Sequence, residues 1–466
     1  MSETSRPAID EAASKHRWRD EMHRQRKEPS SVKRYVFMIL AWGMSSAAWA
    51  QNEPRAITLE EAVAMAHANS PRMIQALGQK RTSAAAVRAA YAAFLPSVNV
   101  SAGATRQLPS GARTRIENGQ VITLPDDPWS SNIGLGASVS LFEGGQRFFD
   151  LREAKARVAS ADVNEIAQRF DVALAAKQQY FNVLAARESQ LAAAAQLQQA
   201  EAQRHNSIAR TKARVATRSD SLRAEIQVRA AQLAVLESAN DLENANASLT
   251  RIVGSNELVT AAPRDTLERA VLAVDEATLR QWVQNGPVVR QAQASLDAAR
   301  AAAQGAWTGY LPSVTASYSR GGSGTGPSPT LFDEDFTYSG SFRLSLSLPL
   351  FTQLQREQQL TNARVARLDA EAELNDARLA ANESLIQLLG ALRSAEVRVA
   401  SQQETVVAAE EDLRVQQQRY ASGGSTLLDV LTSQTQLDQA RRDLIRARYD
   451  LRVARAQLES LAGREL

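Results

Sequence analysis

Phe94-Leu95-Pro96-Ser97-Val98 returns as Tyr310-Leu311-Pro312-Ser313-Val314, 216 residues later. Ser70-Pro71 returns as Gly286-Pro287 at the same offset. Leu141-Phe142 returns as Leu350-Phe351, Thr217 to Asp220 as Thr426 to Asp429, and Gly254 as Gly463, all at an offset of 209. One unit therefore builds the chain twice, with a length change of seven residues between Pro96 and Leu141. A period above 200 residues is too long for a solenoid. It marks two tandem copies of a larger unit.

Each copy carries two alternating stretches. Ile133, Leu135, Ala137, Val139 and Leu141 interleave with Asn132, Gly134, Gly136, Ser138 and Ser140. In the second copy Phe342, Leu344, Leu346 and Leu348 interleave with Ser341, Arg343, Ser345 and Ser347. The partner stretches start at Val98 and Val314. Period two puts each apolar set on one face of a strand. The lengths match the roughly 9–11 residues of a tilted membrane strand. Periodicity alone favours a half-buried soluble strand, but two observations reverse that. The polar faces hold Ser, Gly, Thr and Asn with one Arg, as a wet lumen would, and no other segment offers an apolar layer to cover four strands.

The strands pair as hairpins over 97–142 and 313–350. Their tips are read as turn-rich loops from about Arg106 to Ser131 and from about Arg320 to Thr337, the second holding Gly321 to Pro327. Four strands cannot close a barrel, and an open edge in hydrocarbon leaves backbone groups unsatisfied. Two chains would give eight strands with a filled interior; three would give twelve with room for a lumen.

A long helical tract follows each second strand. Gln146 to Thr211 holds no proline or glycine, and Thr352 to Tyr420 only Gly390. At ~1.5 Å per residue each reaches on the order of 100 Å, well beyond a bilayer. The apolar period is seven: Leu385, Leu392, Val399, Val406, Leu413, Tyr420; then Val430, Leu437, Leu444, Leu451, Leu458; and in copy one Val228, Val235, Leu242, Leu249. Such a seam specifies supercoiled helix packing. Each tract then reverses, at about 211–220 and 420–429. The order per copy is helix, strand, loop, strand, long helix, reversal, helix.

Composition narrows the function. Aromatics are 5 % and cysteines are absent, which excludes disulfides, thiolate metal sites and a cysteine-linked lipid. Lys33-Arg34, the apolar run Tyr35–Trp42 and Ala48-Trp49-Ala50 read as a secretory signal ending a 1–50 extension. Met22 as the start would give an ordinary basic leader. Of 54 basic and 51 acidic residues, nine and six lie in the first 50, leaving 45 of each. The mature chain is formally neutral, so no nucleic-acid partner follows. An enzyme is disfavoured: the four histidines are His16, His23, His67 and His205, the last two read as solvated, and no nucleophile elbow or phosphate loop appears. No cofactor or metal is expected.

The element order resembles the TolC-type outer-membrane efflux proteins. The resemblance rests on Phe94-Leu95-Pro96-Ser97, Tyr310-Leu311-Pro312-Ser313, Leu141 to Gly145, Leu348-Pro349-Leu350-Phe351 and Tyr420 to Leu431, and spans nearly all of 57–463. It implies a fold of mixed α and membrane β. In that fold a homotrimer shares a 12-stranded outer-membrane barrel and a long periplasmic α-helical barrel. Repeat one is 51–254 and repeat two 287–466, with an equatorial linker at 255–286. Pro96, Pro312 and Pro349 would mark the barrel–helix junction. Asp220, Tyr420 and Asp429 would close the periplasmic aperture, with Tyr420 linked to Asp220. Thr217, Gly423, Gly424, Ser425 and Thr426 would form the tip that meets an adaptor. The implied partners are a periplasmic adaptor, an inner-membrane ABC or proton-driven transporter, and outer-membrane lipid. Ser425 stands where an arginine is common, Thr432 at a second acidic position, and Arg214 where glycine is usual. The alternative for Asp220 and Asp429 is a helix N-terminal acid favoured by the macrodipole. The rival reading is a periplasmic adaptor, which normally carries one helical hairpin where this chain has two.

Overall fold

The repeat in sequence is a repeat in space. In the computed structural model, α3 (Gln146–Lys212) and α7 (Gln355–Ala421) both have 67 residues, and the helices after the reversals, α4 (Arg218–Val253) and α8 (Leu427–Ala462), both have 36. The structure describes residues 54–106, 108, 114–123, 129–263, 274–326, 328 and 336–466. The predicted signal at 1–50, part of both outer loops and part of the linker lie outside the described residues.

Ahead of each first strand come two helices. In copy one these are α1 (Leu59–Asn69) and α2 (Pro71–Ala92), and in copy two α5 (Glu276–Gln284) and α6 (Pro287–Gly305). Thr58 and Glu61 form a capping box, with both reciprocal bonds made. Pro71 and Pro287 open their helices at the position where a missing N–H costs nothing. Gly390 does not break α7, which runs through it.

The helices lie side by side. In one half α3 packs between α2 and α6, with α7 beyond; in the other α3 packs between α4 and α8, again with α7 beyond. The seven-residue series is the packing seam. Leu385, Leu392, Leu413, Val430, Leu437, Leu458, Val228 and Leu249 are buried, and the other members of the series are half-buried. Two apolar clusters belt the middle. In one, strands β1 (Arg55–Ile57) and β6 (Val259–Ala261) pair in parallel and bury Ile57, Val259 and Ala261 against Tyr180, Val183 and Leu249. In the other, Leu279 and Val283 of α5 pack with Leu385, Leu392 and Leu458.

The second part is one four-stranded antiparallel sheet. Its strands are β2 (Ser97–Arg106), β5 (Trp129–Glu143), β7 (Ser313–Gly326) and β8 (Thr337–Ser347), in the order β2-β5-β7-β8. A separate ribbon, β3 (Thr114–Glu117) with β4 (Gln120–Thr123), lies in the first outer loop. Register confirms the two faces. The row Ala102–Ile133, the row Val100–Leu135 and the row Ala137–Tyr318–Phe342 are apolar; the row Ser101–Gly134–Gly321–Ser339 and the row Asn99–Gly136–Ser319–Ser341 are polar.

Two expectations need correction. The glycine run 321–326 is strand rather than loop: it continues β7 to the pair Gly326–Trp129. Glycine is needed there because a Cβ at Gly322 or Gly324 would lie 2.7 Å from the Tyr338 or Phe336 ring. The aromatics fill the space where those side chains would stand. β5 and β7, at 15 and 14 residues, also exceed the expected length. A bulge between Ser140 and Phe142 puts Phe142, not Leu141, opposite Val314.

Candidate functional site

Three features set the chain apart from a plain coiled rod: the helix tips, the strand–helix junction, and faces left open on both sheet and helices.

At the tips, Thr217 Oγ1 accepts from the Asp220 amide at 3.2 Å, while Asp220 Oδ2 accepts from the Thr217 amide at 3.0 Å and from its hydroxyl at 2.8 Å. Thr426 and Asp429 repeat this at 3.3, 2.8 and 2.8 Å. Both carboxylates therefore cap α4 and α8 in capping boxes of Thr-x-x-Asp form. Bonds from the Thr426 backbone amide, then from its hydroxyl, hold the Asp429 carboxyl below the usual carboxylate range, with help from Arg419. Gly423 makes the second reversal at φ +83°, and Arg214 occupies the matching place at φ +63°. Copy one thus bears left-handed strain that copy two avoids. Gly424 donates to the Arg419 carbonyl at 2.7 Å, and Ser425 Oγ to the Gln416 carbonyl at 3.3 Å.

The Asp429 shift has a sign that can be tested. Its folded pKa lies below the unfolded one, so the cap is fully present above the unfolded value and is lost as pH falls through the folded value. Amide exchange at 427–430, corrected for intrinsic rates, should accelerate on acidification, and Asp429→Asn should abolish that dependence. Equal pH dependence in both proteins would contradict it.

Within the chain Tyr420 is not linked to Asp220. Its hydroxyl is buried without a hydrogen-bond partner among the described residues, and its ring lies 4.4 Å from the Arg210 guanidinium carbon. Arg210 is the residue that joins the two tips, by a cation–π contact. Sequence reading missed it, because no spacing connects residues 210 apart on different hairpins. Above this contact, Gln203, Ser207, Gln434 and Asp438 each bury a polar atom that has no partner among the described residues. Burial pushes the Asp438 carboxyl up, against the pull of Arg442 and Arg441. The two hairpins' own seams are apolar: Ala200, Val228 and Ala231 in one, Leu413, Val430 and Leu437 in the other. A groove of about 980 Å³ between α3, α4 and α8 carries Asp438, Arg441, Arg442, Glu237 and Asp241.

The junction is built by a pair of arginines one repeat apart. Arg147 stacks on Phe94 at 5.2 Å, donates to the Ala93 carbonyl at 3.2 Å and to the Ser140 carbonyl, and pairs with Glu143 at 3.3 Å. Arg356 stacks on Tyr310 at 4.8 Å and donates to the carbonyls of Gly309 at 3.3 Å and Leu350 at 3.2 Å. Arg147 ties the end of α2 and the end of β5, and Arg356 the short turn Ala306–Tyr310 and the link after β8, to the first turn of a long helix. Pro96 and Pro312 lie where the chain leaves helix or turn for strand, and Pro349 lies between β8 and α7. The offset of 209 between Arg147 and Arg356 was the available signal for this clamp. Outside these three features, His67 is not merely solvated: its Nε2 meets the Arg169 carbonyl at 2.9 Å.

The open faces are extensive. Among the described residues β2 and β8 have no second neighbour in the sheet, and the apolar side chains Val98, Val100, Phe342, Leu344 and Leu346 are exposed. On α4, Leu222, Ile226, Leu233 and Leu236 form an exposed stripe at spacings of 4, 7 and 3. On α7, Leu379, Ile386, Val397 and Val407 are each more than two-thirds exposed. No described helix is long and apolar enough to cross a membrane.

The sequence profile of the outer membrane efflux protein family matches residues 62–255 and 278–464, one match per repeat. The chain belongs to this family. Protein CyaE of Bordetella pertussis is 26 % identical over 425 residues, covering 87 % of this chain and 84 % of that protein. Outer membrane protein TolC of Vibrio cholerae is 24 % identical over 442 residues, covering 92 % and 94 %. The crystal structure of VceC from Vibrio cholerae superposes with a TM-score of 0.69 at 20 % identity, covering 87 % of this chain and 96 % of that one. An outer membrane efflux protein of this kind is a channel of the outer membrane extending into the periplasm, not an enzyme, and the adaptor reading is set aside. The two-repeat architecture of strands and long helices is that of the TolC-like channels.

Proposed function

We propose that three copies of this chain close one 12-stranded barrel in the outer membrane and one helical tunnel below it. The tunnel serves as exit duct for cargo handed over by an inner-membrane transporter, ABC or proton-driven, through a periplasmic adaptor. The observation that carries this is a four-stranded sheet with two free edges and an exposed apolar face. In hydrocarbon each unsatisfied backbone group costs several kcal/mol, so the edges must pair with further copies. The stripes on α4 and α7 lie on the helical elements at either side of the chain, where a neighbour would cover them. Residues 1–50 act as the export signal.

The tips form the periplasmic gate. Three Asp429 carboxylates around one axis repel one another, and closure needs hydrogen bonds or cations. Arg210 on Tyr420 supplies one such tie. Thr217, Gly423, Gly424, Ser425 and Thr426 present the surface that an adaptor meets. With Thr432 and Ser425 where an acid and an arginine are usual, one acidic ring remains, and cations bind the aperture more weakly than at two rings. Asp220→Ala with Tyr420→Ala is expected to raise single-channel conductance in planar bilayers, since it removes the cap of α4 and the ring that Arg210 holds. Unchanged conductance would remove Asp220 and Tyr420 from the gate.

A further inference from the structure

The apolar face of the sheet carries two charges among its described positions, and both are arginines: Arg106 on β2 and Arg320 on β7. On the barrel reading this face points to lipid, and the inference rests on that reading. Arg320 shares its face with Leu135 on one side and Gly340 on the other, with Tyr318 below it and Gly322 above. It stands seven residues along β7 from Ser313, the end nearest the helices. At ~3.3 Å per residue and a tilt of ~40°, that is roughly 18 Å up an apolar band about 25 Å tall. A guanidinium is costly there unless it reaches the interface and meets an anion. Arg106, nine residues along β2, reaches the upper rim, where it sits 5.9 Å over Trp129.

The surroundings favour an upward reach. The Arg320 stem runs beside Gly340, its Cγ and Cβ at ordinary contact distance, 3.9 and 4.0 Å, from the place a Cβ there would take. Beyond it Tyr338 and Phe336 pack together, ring centres 5.8 Å apart, as an aromatic girdle at headgroup level. No acidic side chain occupies the described positions of this face. Among the described residues of this face no acid supplies the counter-charge, and on the external half the outer leaflet offers one. We propose that Arg320 binds the phosphate of an anionic glycolipid of that leaflet, with its stem on Gly340 and the acyl chains along Leu135, Tyr318 and Phe342.

The test uses delipidated full-length trimer in neutral detergent. The probes are a bis-phosphorylated glycolipid, its dephosphorylated form, and inorganic phosphate, with binding read by native mass spectrometry. Wild type should bind the phosphorylated lipid roughly tenfold more tightly than the dephosphorylated one, the worth of a charge-assisted contact. Arg320→Ala should lose that difference, and Arg320→Lys should keep part of it. Arg343→Ser, which removes one positive charge from the polar face, should leave it intact. Equal binding by wild type and Arg320→Ala, an equal loss in Arg343→Ser, or full competition by inorganic phosphate would overturn the proposal. Single-channel conductance of Arg320→Ala separates the two readings. A conducting trimer without the lipid preference defeats this inference alone, whereas failure of wild type to form a conducting trimer defeats the barrel.

Discussion

Ile226→Glu combined with Leu233→Glu is expected to turn the assembled protein into separate chains that keep their helix content. Both side chains are more than half exposed on α4 and touch no apolar cluster of their own chain. As residues of an isolated chain they would tolerate glutamate almost freely. As the cover for a neighbour's α7 they would each contribute about 1.5–3 kcal/mol per interface, and glutamate would add the desolvation of a carboxylate. Three equivalent interfaces multiply the loss. Native mass spectrometry should show monomer, and far-UV circular dichroism should be unchanged. An intact assembly would mean that α4 faces water or the lumen and that the neighbouring helix sits elsewhere.

Gly144→Val should be the most damaging single substitution at the junction. Gly144 ends β5 at φ +62°, and a Cβ there would fall 2.7 Å from both Leu311 Cβ and the Thr308 carbonyl oxygen. The carbonyl is backbone and cannot swing away. Left-handed backbone costs an L-residue about 1–2 kcal/mol, and a β-branched residue more. With the clash added, a loss of roughly 3 kcal/mol or more is expected. Gly145→Ala provides the comparison: it bears the same conformational cost at φ +87°, but its Cβ would meet only Phe149 at 3.9 Å. Heat dissociation of the assembly should drop much further for Gly144→Val than for Gly145→Ala. Equal drops would show that the contact between β5 and the turn before β7 does not matter.

The parts legible in sequence were those written in local spacing. Offsets of 209 and 216 gave the duplication, period two gave the strands and period seven the seams, because each depends on which face a residue meets. The family resemblance drew on those same elements. The glycine run 321–326 misled because glycine signals a turn locally, while here it makes room for Phe336 and Tyr338, partners set by sheet register. The Thr-x-x-Asp caps at 217 and 426 share the Thr-x-x-acid spacing of Thr58 and Glu61, and were weighed only as an alternative to a gate. Only the shared offset of 209 marked Arg147 and Arg356, and no spacing marked Arg210. Their partners are carbonyls and rings brought close only once helix and strand are both in place, and an arginine on a helix looks like any solvated charge until then.

The central claim is that identical chains join edge to edge, β8 of one to β2 of the next, until three have closed a hollow barrel. The chain has no cysteine, so a protein carrying Ser101→Cys on β2 and Ser341→Cys on β8 can be bridged in outer-membrane vesicles with a short bifunctional thiol reagent. Denaturing gels should show a ladder of covalent products ending at three chains. A ladder that stops at two or continues past three would contradict it, as would a chain that remains single and is recovered free of the membrane.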